Sequence, residues 1–185
     1  DGVTFVDQKA FSDTKWLNEQ PEGLLYIGKN LYCYHGSPDA DTTIVIKDGT
    51  TNITGYAFDE SNTNPERFTA ITIPASVTGI GDYAFYKCAS LESIKIPEGV
   101  KEIGYATFGN CYSLENISLP QSLTAIAEYA FYECNAIEEF TIPDNVKSIG
   151  NYAFNKCTGI QKINLPKSVS SIGKMAFMDC YTLES

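Results

Sequence analysis

Apolar residues return along most of this chain at a fixed interval. Phe85, Phe108, Phe131, Phe154 and Phe177 stand 23 residues apart, and so do Ile80, Ile103, Ile126, Ile149 and Ile172. Leu91, Leu114, Ile137, Ile160 and Leu183 form a third column, Ile94, Ile117, Phe140 and Ile163 a fourth, and Ile96, Leu119, Ile142 and Leu165 a fifth. Pro74, Pro97, Pro120, Pro143 and Pro166 keep the same period, as do Cys88, Cys111, Cys134, Cys157 and Cys180. Gly81, Gly104, Gly150 and Gly173 follow the isoleucine column, with Ala127 as the one substitute. Self-similarity of this kind marks a repeat architecture, in which a unit buries its apolar face only by stacking on its neighbours.

Each unit reads Leu-x-x-Ile-x-Ile-Pro, a polar turn, Val-x-x-Ile-Gly, then Ala-Phe-x-x-Cys. The Ile-x-Ile stretch alternates with period two and predicts a strand with one buried face. Proline closes it, having a fixed φ and no ladder donor. Pairs such as Glu98-Gly99 and Asp144-Asn145 are turn formers that reverse the chain. Val-x-x-Ile-Gly predicts a second short extended piece on the opposite wall, with glycine at a sharp corner. Tyr-Ala-Phe-x-x-Cys spaces apolar residues three apart and predicts a helical turn that points Phe and Cys inward. The sum is a short, curved solenoid.

Residues 1–43 do not repeat and predict an N-terminal cap over the exposed end of the stack. Ser12 and Asp13 can cap a short helix through Trp16-Leu17, which Pro21-Glu22-Gly23 stops. Leu24-Leu25-Tyr26-Ile27, Gly28-Lys29-Asn30 and Leu31-Tyr32-Cys33-Tyr34 then read as a hairpin. Residues 44–185 form the solenoid, with a degenerate first coil over 44–68 and regular coils over 69–185. In the degenerate coil Ile44-Val45-Ile46 matches the strand, Ile53 the isoleucine column and Tyr56-Ala57-Phe58 the Tyr-Ala-Phe element. Lys47 replaces the proline, Ser61 falls at the cysteine position, and extra residues in Asn62–Glu66 precede Phe68, which restores the register.

Charge narrows the range of partners. The chain of 185 residues has 13 basic and 23 acidic side chains, a net charge of −10 and a pI near 4.5. The excess of acid is spread along the chain, which argues against a nucleic-acid partner or an anionic membrane surface. No apolar run approaches the length of a bilayer span, so no membrane insertion is expected. The N-terminus has neither a basic nor a long apolar segment and lacks an initiator Met, which favours a trimmed chain whose signal peptide is gone.

Catalytic chemistry is thin. Of six cysteines, five share one column with parallel Cβ vectors, which fits disulfide geometry poorly. Buried, unreactive thiols are expected, with an adjacent-coil bridge as the alternative. No Cys-x-x-Cys supports a metal, and Asp39-x-Asp41 lacks the rest of a calcium loop. Cys33 and the sole histidine, His35, are the only imaginable nucleophile–base pair, and an ordinary exposed His beside a buried Cys explains them. Glu138 and Glu139 would face opposite ways on a strand and make a poor acid–base pair. No cofactor is implied. Tyr83, Tyr129 and Tyr152, Tyr86 and Tyr132, and Tyr112 and Tyr181 fall into columns, for which packing between coils is the main use and a convex aromatic patch the alternative.

The pattern Leu-x-x-Ile-x-Ile-Pro-x-x-Val-x-x-Ile-Gly-x-x-Ala-Phe-x-x-Cys resembles the 23-residue bacterial leucine-rich repeat of the BspA-like (Treponema-type) family, over about residues 69–185. The stretch 15–29 is also similar to the segment that often precedes such repeats in surface proteins of gut anaerobes. The resemblance implies an α/β repeat solenoid, strand-rich, under a helix-plus-hairpin cap. It also implies that outward strand positions line a concave sheet. By register these are Thr72, Ser93 and Lys95, Asn116 and Ser118, Glu139 and Thr141, and Lys162 and Asn164. They are small, polar and of mixed sign, without an aromatic row for sugars or a basic stripe for phosphate. The expected function is non-enzymatic recognition of a protein partner at the bacterial cell surface or in secreted form, with an adhesin-type role. A structural spacer without a ligand, and a weak glycan-binding module, are the alternatives. The last coil, residues 165–185, is expected to present an apolar end through which copies of the chain could associate.

Overall fold

The computed structural model describes residues 2–58 and 67–184. The cap comes first: helix α1 (Lys15–Asn18) and the antiparallel hairpin of β1 (Gly23–Ile27) and β2 (Asn30–His35). The helix cap is Thr14 rather than Ser12 or Asp13. Its hydroxyl accepts the Leu17 N–H at 3.2 Å, while Asp13 sits in the left-handed region at φ +59°. Leu17, Leu25, Tyr32 and Cys33 form a small core of their own with Val6.

Beyond the hairpin the chain alternates between two walls. The first carries β3 (Thr42–Val45), β5 (Phe68–Thr72), β7 (Ser93–Lys95), β9 (Asn116–Ser118), β11 (Glu139–Thr141) and β13 (Lys162–Asn164). The second carries β4 (Asn52–Ile53), β6 (Gly79–Ile80), β8 (Glu102–Ile103), β10 (Ala125–Ile126), β12 (Ser148–Ile149) and β14 (Ser171–Ile172). All pairing within the walls is parallel, one coil against the next, and β2 joins the second wall by pairing with β4. Both walls predicted from the period are present. In the degenerate coil Ile44 and Ile46 are buried, and the Lys47 N–H, present because no proline stands there, donates to the Tyr26 hydroxyl at 2.9 Å. Ser61 and Asn62–Glu66 lie outside the described residues.

The core between the walls is built of columns. Phe58, Phe85, Phe108, Phe131, Phe154 and Phe177 stack with centroids 5.2–5.5 Å apart and planes within 20° of parallel. The six cysteines are unpaired, and four of the thiols donate to a phenylalanine carbonyl of the preceding coil: Cys111 to Phe85, Cys134 to Phe108, Cys157 to Phe131 and Cys180 to Phe154, at 2.9–3.2 Å. A small, weakly polar residue suits a buried position that faces one carbonyl.

Two local expectations are corrected. Tyr-Ala-Phe-x-x-Cys makes successive turns, not a helix. The N–H groups of Ala84, Tyr86 and Cys88 donate three residues back, while those of Tyr83, Phe85 and Lys87 donate to Tyr105, Thr107 and Gly109 of the next coil. A helix would turn every N–H inward along its own axis and leave none for the neighbour. The alternation requires left-handed backbone at two non-glycine columns: Tyr83, Ala106, Tyr129, Tyr152 and Met175, then Lys87, Asn110, Glu133, Lys156 and Asp179. The corner is therefore made by the tyrosine column. The preceding glycines are required by close approach, since a Cβ on Gly81, Gly150 or Gly173 would run into the backbone of the coil before.

The ladders are interrupted at two places. Among the described residues no strand pairing joins β9 to β11 on the first wall, or β6 to β8 on the second. Each interruption coincides with an oversized member of a core column. Phe140 replaces an aliphatic residue next to β9, its ring edge-on to Phe131 and Phe154 at 5.0 and 4.8 Å. Thr107 stands among Ala84, Ala130 and Ala153 beside β8.

Candidate functional site

Strand alternation sets the outward rows of the first wall. Ile94 and Phe140 point into the core, and their neighbours on either side point out. All nine predicted wall residues, Thr72, Ser93, Lys95, Asn116, Ser118, Glu139, Thr141, Lys162 and Asn164, are exposed. Register aligns them: Ser93 opposite Asn116, Lys95 opposite Ser118, Glu139 opposite Lys162 and Thr141 opposite Asn164. Asn164 donates to the Thr141 hydroxyl at 3.3 Å. Over β5, β7 and β9 lies a shallow depression of about 590 Å³, bordered by Thr72, Ser93, Lys95, Asn116, Ser118 and Glu139.

A row that the strand pattern alone does not reveal runs along the entry edge of this wall. Glu92, Glu115 and Glu138 stand one coil apart, all exposed, each just before its strand. The 23-residue period holds the signal, since Gln161 and Glu184 continue the column. Glu138 and Glu139 are both exposed. Both border a depression of about 380 Å³ with Glu115 and Asn116, where β9 and β11 separate. Glu138 lies outside β11, so strand alternation does not govern it.

Tyrosines form a second surface row. Tyr56 stacks on Tyr83 at 4.6 Å and Tyr129 on Tyr152 at 4.9 Å, so packing between coils is their role. The column lacks a ring at Ala106, and Tyr105, one residue out of register, fills the gap by contacting Tyr83 and Tyr129 at 5.2 and 5.7 Å. Tyr86 lies across Gly109 of the next coil, where a Cβ would stand 3.1 Å from its ring. Nearby, Lys156 donates to the Tyr132 hydroxyl and to Glu133, both at 2.9 Å. Burial works to raise the Glu133 carboxyl, but the hydrogen bonds from Lys156 and Tyr132 outweigh it and hold the group below its ordinary value.

Burial disfavours the thiolate form of the cysteines. Burial pushes Cys33 up to about 12 and raises the column cysteines as well, so they are protonated at neutral pH. His35 is half-buried rather than exposed, and its Nδ1 has no hydrogen-bond partner among the described residues. Among those residues no three His, Cys, Asp or Glu side chains converge as metal ligands, and no helix is long and apolar enough to cross a membrane.

Two parallel walls of very short strands, joined by turns and filled with one-residue columns, define a leucine-rich-repeat solenoid. Residues 63–184 match the model of the BspA-type leucine-rich repeat region, in six copies, and the chain belongs to that family. A leucine-rich repeat protein from Bacteroides ovatus has the same fold at 35% identity and a TM-score of 0.71, covering 76% of this chain and 38% of its own. The Treponema pallidum leucine-rich repeat protein is 33% identical with a TM-score of 0.61, covering 62% of this chain and 56% of its own. A leucine-rich cell surface protein of Faecalibacterium prausnitzii shares the fold at 24% identity and a TM-score of 0.69, over 91% of this chain and 55% of its own. The chain thus spans about two fifths to somewhat over half the length of these solved proteins. No curated protein matches it.

Proposed function

We propose that this chain is a non-enzymatic recognition module, displayed on or secreted from a bacterial cell, that binds a protein partner through the first wall in an adhesin-type role. The observation that carries the reading is the exposure of all nine wall side chains in aligned rows on paired strands. A face held by a continuous core needs little rearrangement to bind, so contact across several coils costs little ordering entropy. The extracellular setting is part of the proposal. It is supported by family membership, and the Faecalibacterium neighbour is described as a cell surface protein.

The test is capture of extracellular host and bacterial proteins on the immobilised chain, compared with a variant carrying Ser93→Arg, Asn116→Arg, Thr141→Arg and Asn164→Arg. A partner held by the parent and lost by the folded variant is the expected result. Absence of any partner would favour a spacer, and a partner indifferent to the four arginines would exclude the first wall.

A further inference from the structure

The second wall opens between β6 and β8, and the opening is lined. Gly81, Gly150 and Gly173 each donate their N–H to the isoleucine carbonyl of the coil before, at 2.8–2.9 Å. Among the described residues Gly104 has no such bond to Ile80. The first residues of the chain lie across this place. Phe5, Val6, Asp7 and Gln8 form the outer side of a groove of about 420 Å³, and residues 52–55 and 79–82 with Glu102 and Gly104 form the inner side. That volume is within the range of small-ligand clefts. Val6, Ile53, Ile80 and the Phe5 ring, 72% exposed, supply apolar contact.

The charged groups of the lining are all acidic. Asp7, Asp82 and Glu102 bring three carboxylates, no Lys, Arg or His lines the groove, and no ion pair engages the three among the described residues. Asp7 and Asp82 each use one oxygen on a backbone N–H, of Gln8 at 2.7 Å and Tyr105 at 2.8 Å, and keep the other. The Asn52 amide donates to Asn30 and Thr51 and turns its oxygen onto Gly79. Beneath them, fully buried Thr107 has a hydroxyl without a partner among the described residues, 3.4 Å from where a Cβ on Gly104 would stand and on the same side as the Asp82 carboxylate.

We infer that this groove binds a ligand bearing an ammonium or guanidinium group on an apolar stem. Such groups donate three or five N–H bonds and accept none, which complements the lining, while three carboxylates repel an anion. A lysine or arginine side chain of a polypeptide, or a free diamine, offers this chemistry. The site is on the opposite wall from the protein-binding face proposed above and does not depend on it.

The experiment is an NMR titration of the full chain with Nα-acetyl-arginine methylamide, Nα-acetyl-lysine methylamide, 1,5-diaminopentane and the neutral Nα-acetyl-norleucine methylamide. Saturable shifts at millimolar concentration are expected for the cationic probes at Gly79, Gly81, Glu102 and Gly104, and none for norleucine. Asp7→Asn with Glu102→Gln, both exposed positions, should weaken binding about tenfold without changing the melting temperature, by the usual worth of two exposed charge contacts. Ser93→Arg on the other wall should leave it unchanged. Preference for the amino-acid probes would identify a polypeptide as the source, and equal binding of the diamine a free amine; both support the site. Absence of saturable shifts, equal binding of norleucine, or undiminished binding by the double variant overturns it.

Discussion

Thr107 is the sharpest point at which this core departs from its own rule. The equivalent residues Ala84, Ala130 and Ala153 are fully buried and apolar; Thr107 is equally buried, and its hydroxyl has no partner among the described residues. An unsatisfied buried hydroxyl costs about 1–3 kcal/mol. Thr107→Val keeps the branched shape and replaces the hydroxyl by a methyl group, so it should stabilise by about that amount. Thr107→Ala also removes the cost but gives up one buried methyl, about 0.8 kcal/mol before any cavity term. The expected order of stability is therefore Val, then Ala, then the parent. For a chain of this size the valine gain corresponds to roughly 2–12 °C in melting temperature. Urea unfolding followed by circular dichroism measures it directly, as a rise in midpoint at unchanged slope. A valine variant no more stable than the parent would refute the reasoning and show that the hydroxyl is satisfied in solution.

Other consequences follow from the same geometry. Gly150→Ala drives a Cβ into the backbone of Ala127 and Glu128 and should destabilise by about 1–3 kcal/mol in the same urea assay, whereas a corner glycine would show its strain through φ, which is not positive here. In native protein at pH 8 a thiol reagent should modify half-buried Cys180 first, and Cys88, Cys111, Cys134 and Cys157 only as urea unfolds the stack; prompt labelling of the four would contradict their burial. Glu133 has a folded pKa lowered from 4.5, so its contribution is present above that value and lost as pH falls through the lower folded one. Glu133→Gln should flatten that acid limb of stability, and an unchanged limb would deny the Lys156 contact its role. Phe140→Ile should let β9 and β11 pair, slowing hydrogen exchange at the Glu138 amide; unchanged exchange would separate the ring from the interruption.

Much of the fold is legible because two periods coincide in the chain. The 23-residue spacing of Ile80, Phe85 and Cys88 gives the coil, and the alternation around Ile94 and Ile163 tells which wall residues face out. What the spacing leaves hidden depends on where backbone hydrogen bonds go. Ala-Phe-x-x-Cys has the spacing of a helical turn, but spacing does not say that Tyr83, Phe85 and Lys87 donate to the next coil. Gly81 looks like a corner residue until the preceding coil is in place beside it. Tyr105 is invisible to column counting because it enters the tyrosine row from the neighbouring position. The groove under Phe5 was out of reach for the same reason, since it needs residues from the cap and from three coils at once.

A stack of identical coils presents the same surface every 23 residues, so a partner could bind it equally well shifted by one coil. Specificity therefore has to come from positions that break the repeat. The buried columns of this chain hardly vary, whereas the outward rows do: Ser93, Asn116, Glu139, Lys162 in one, Lys95, Ser118, Thr141, Asn164 in the other. A one-coil slip would move a contact made at Glu139 onto Lys162, reversing its sign, so on the proposed reading those two charges would set the register of a bound protein more than the small polar residues around them. The same logic applies inside. Thr107 and Phe140 break their columns, and beside each the ladder opens onto carboxylates. The exceptions to the repeat are thus where each wall becomes locally distinct, and distinctness is what a recognition surface requires.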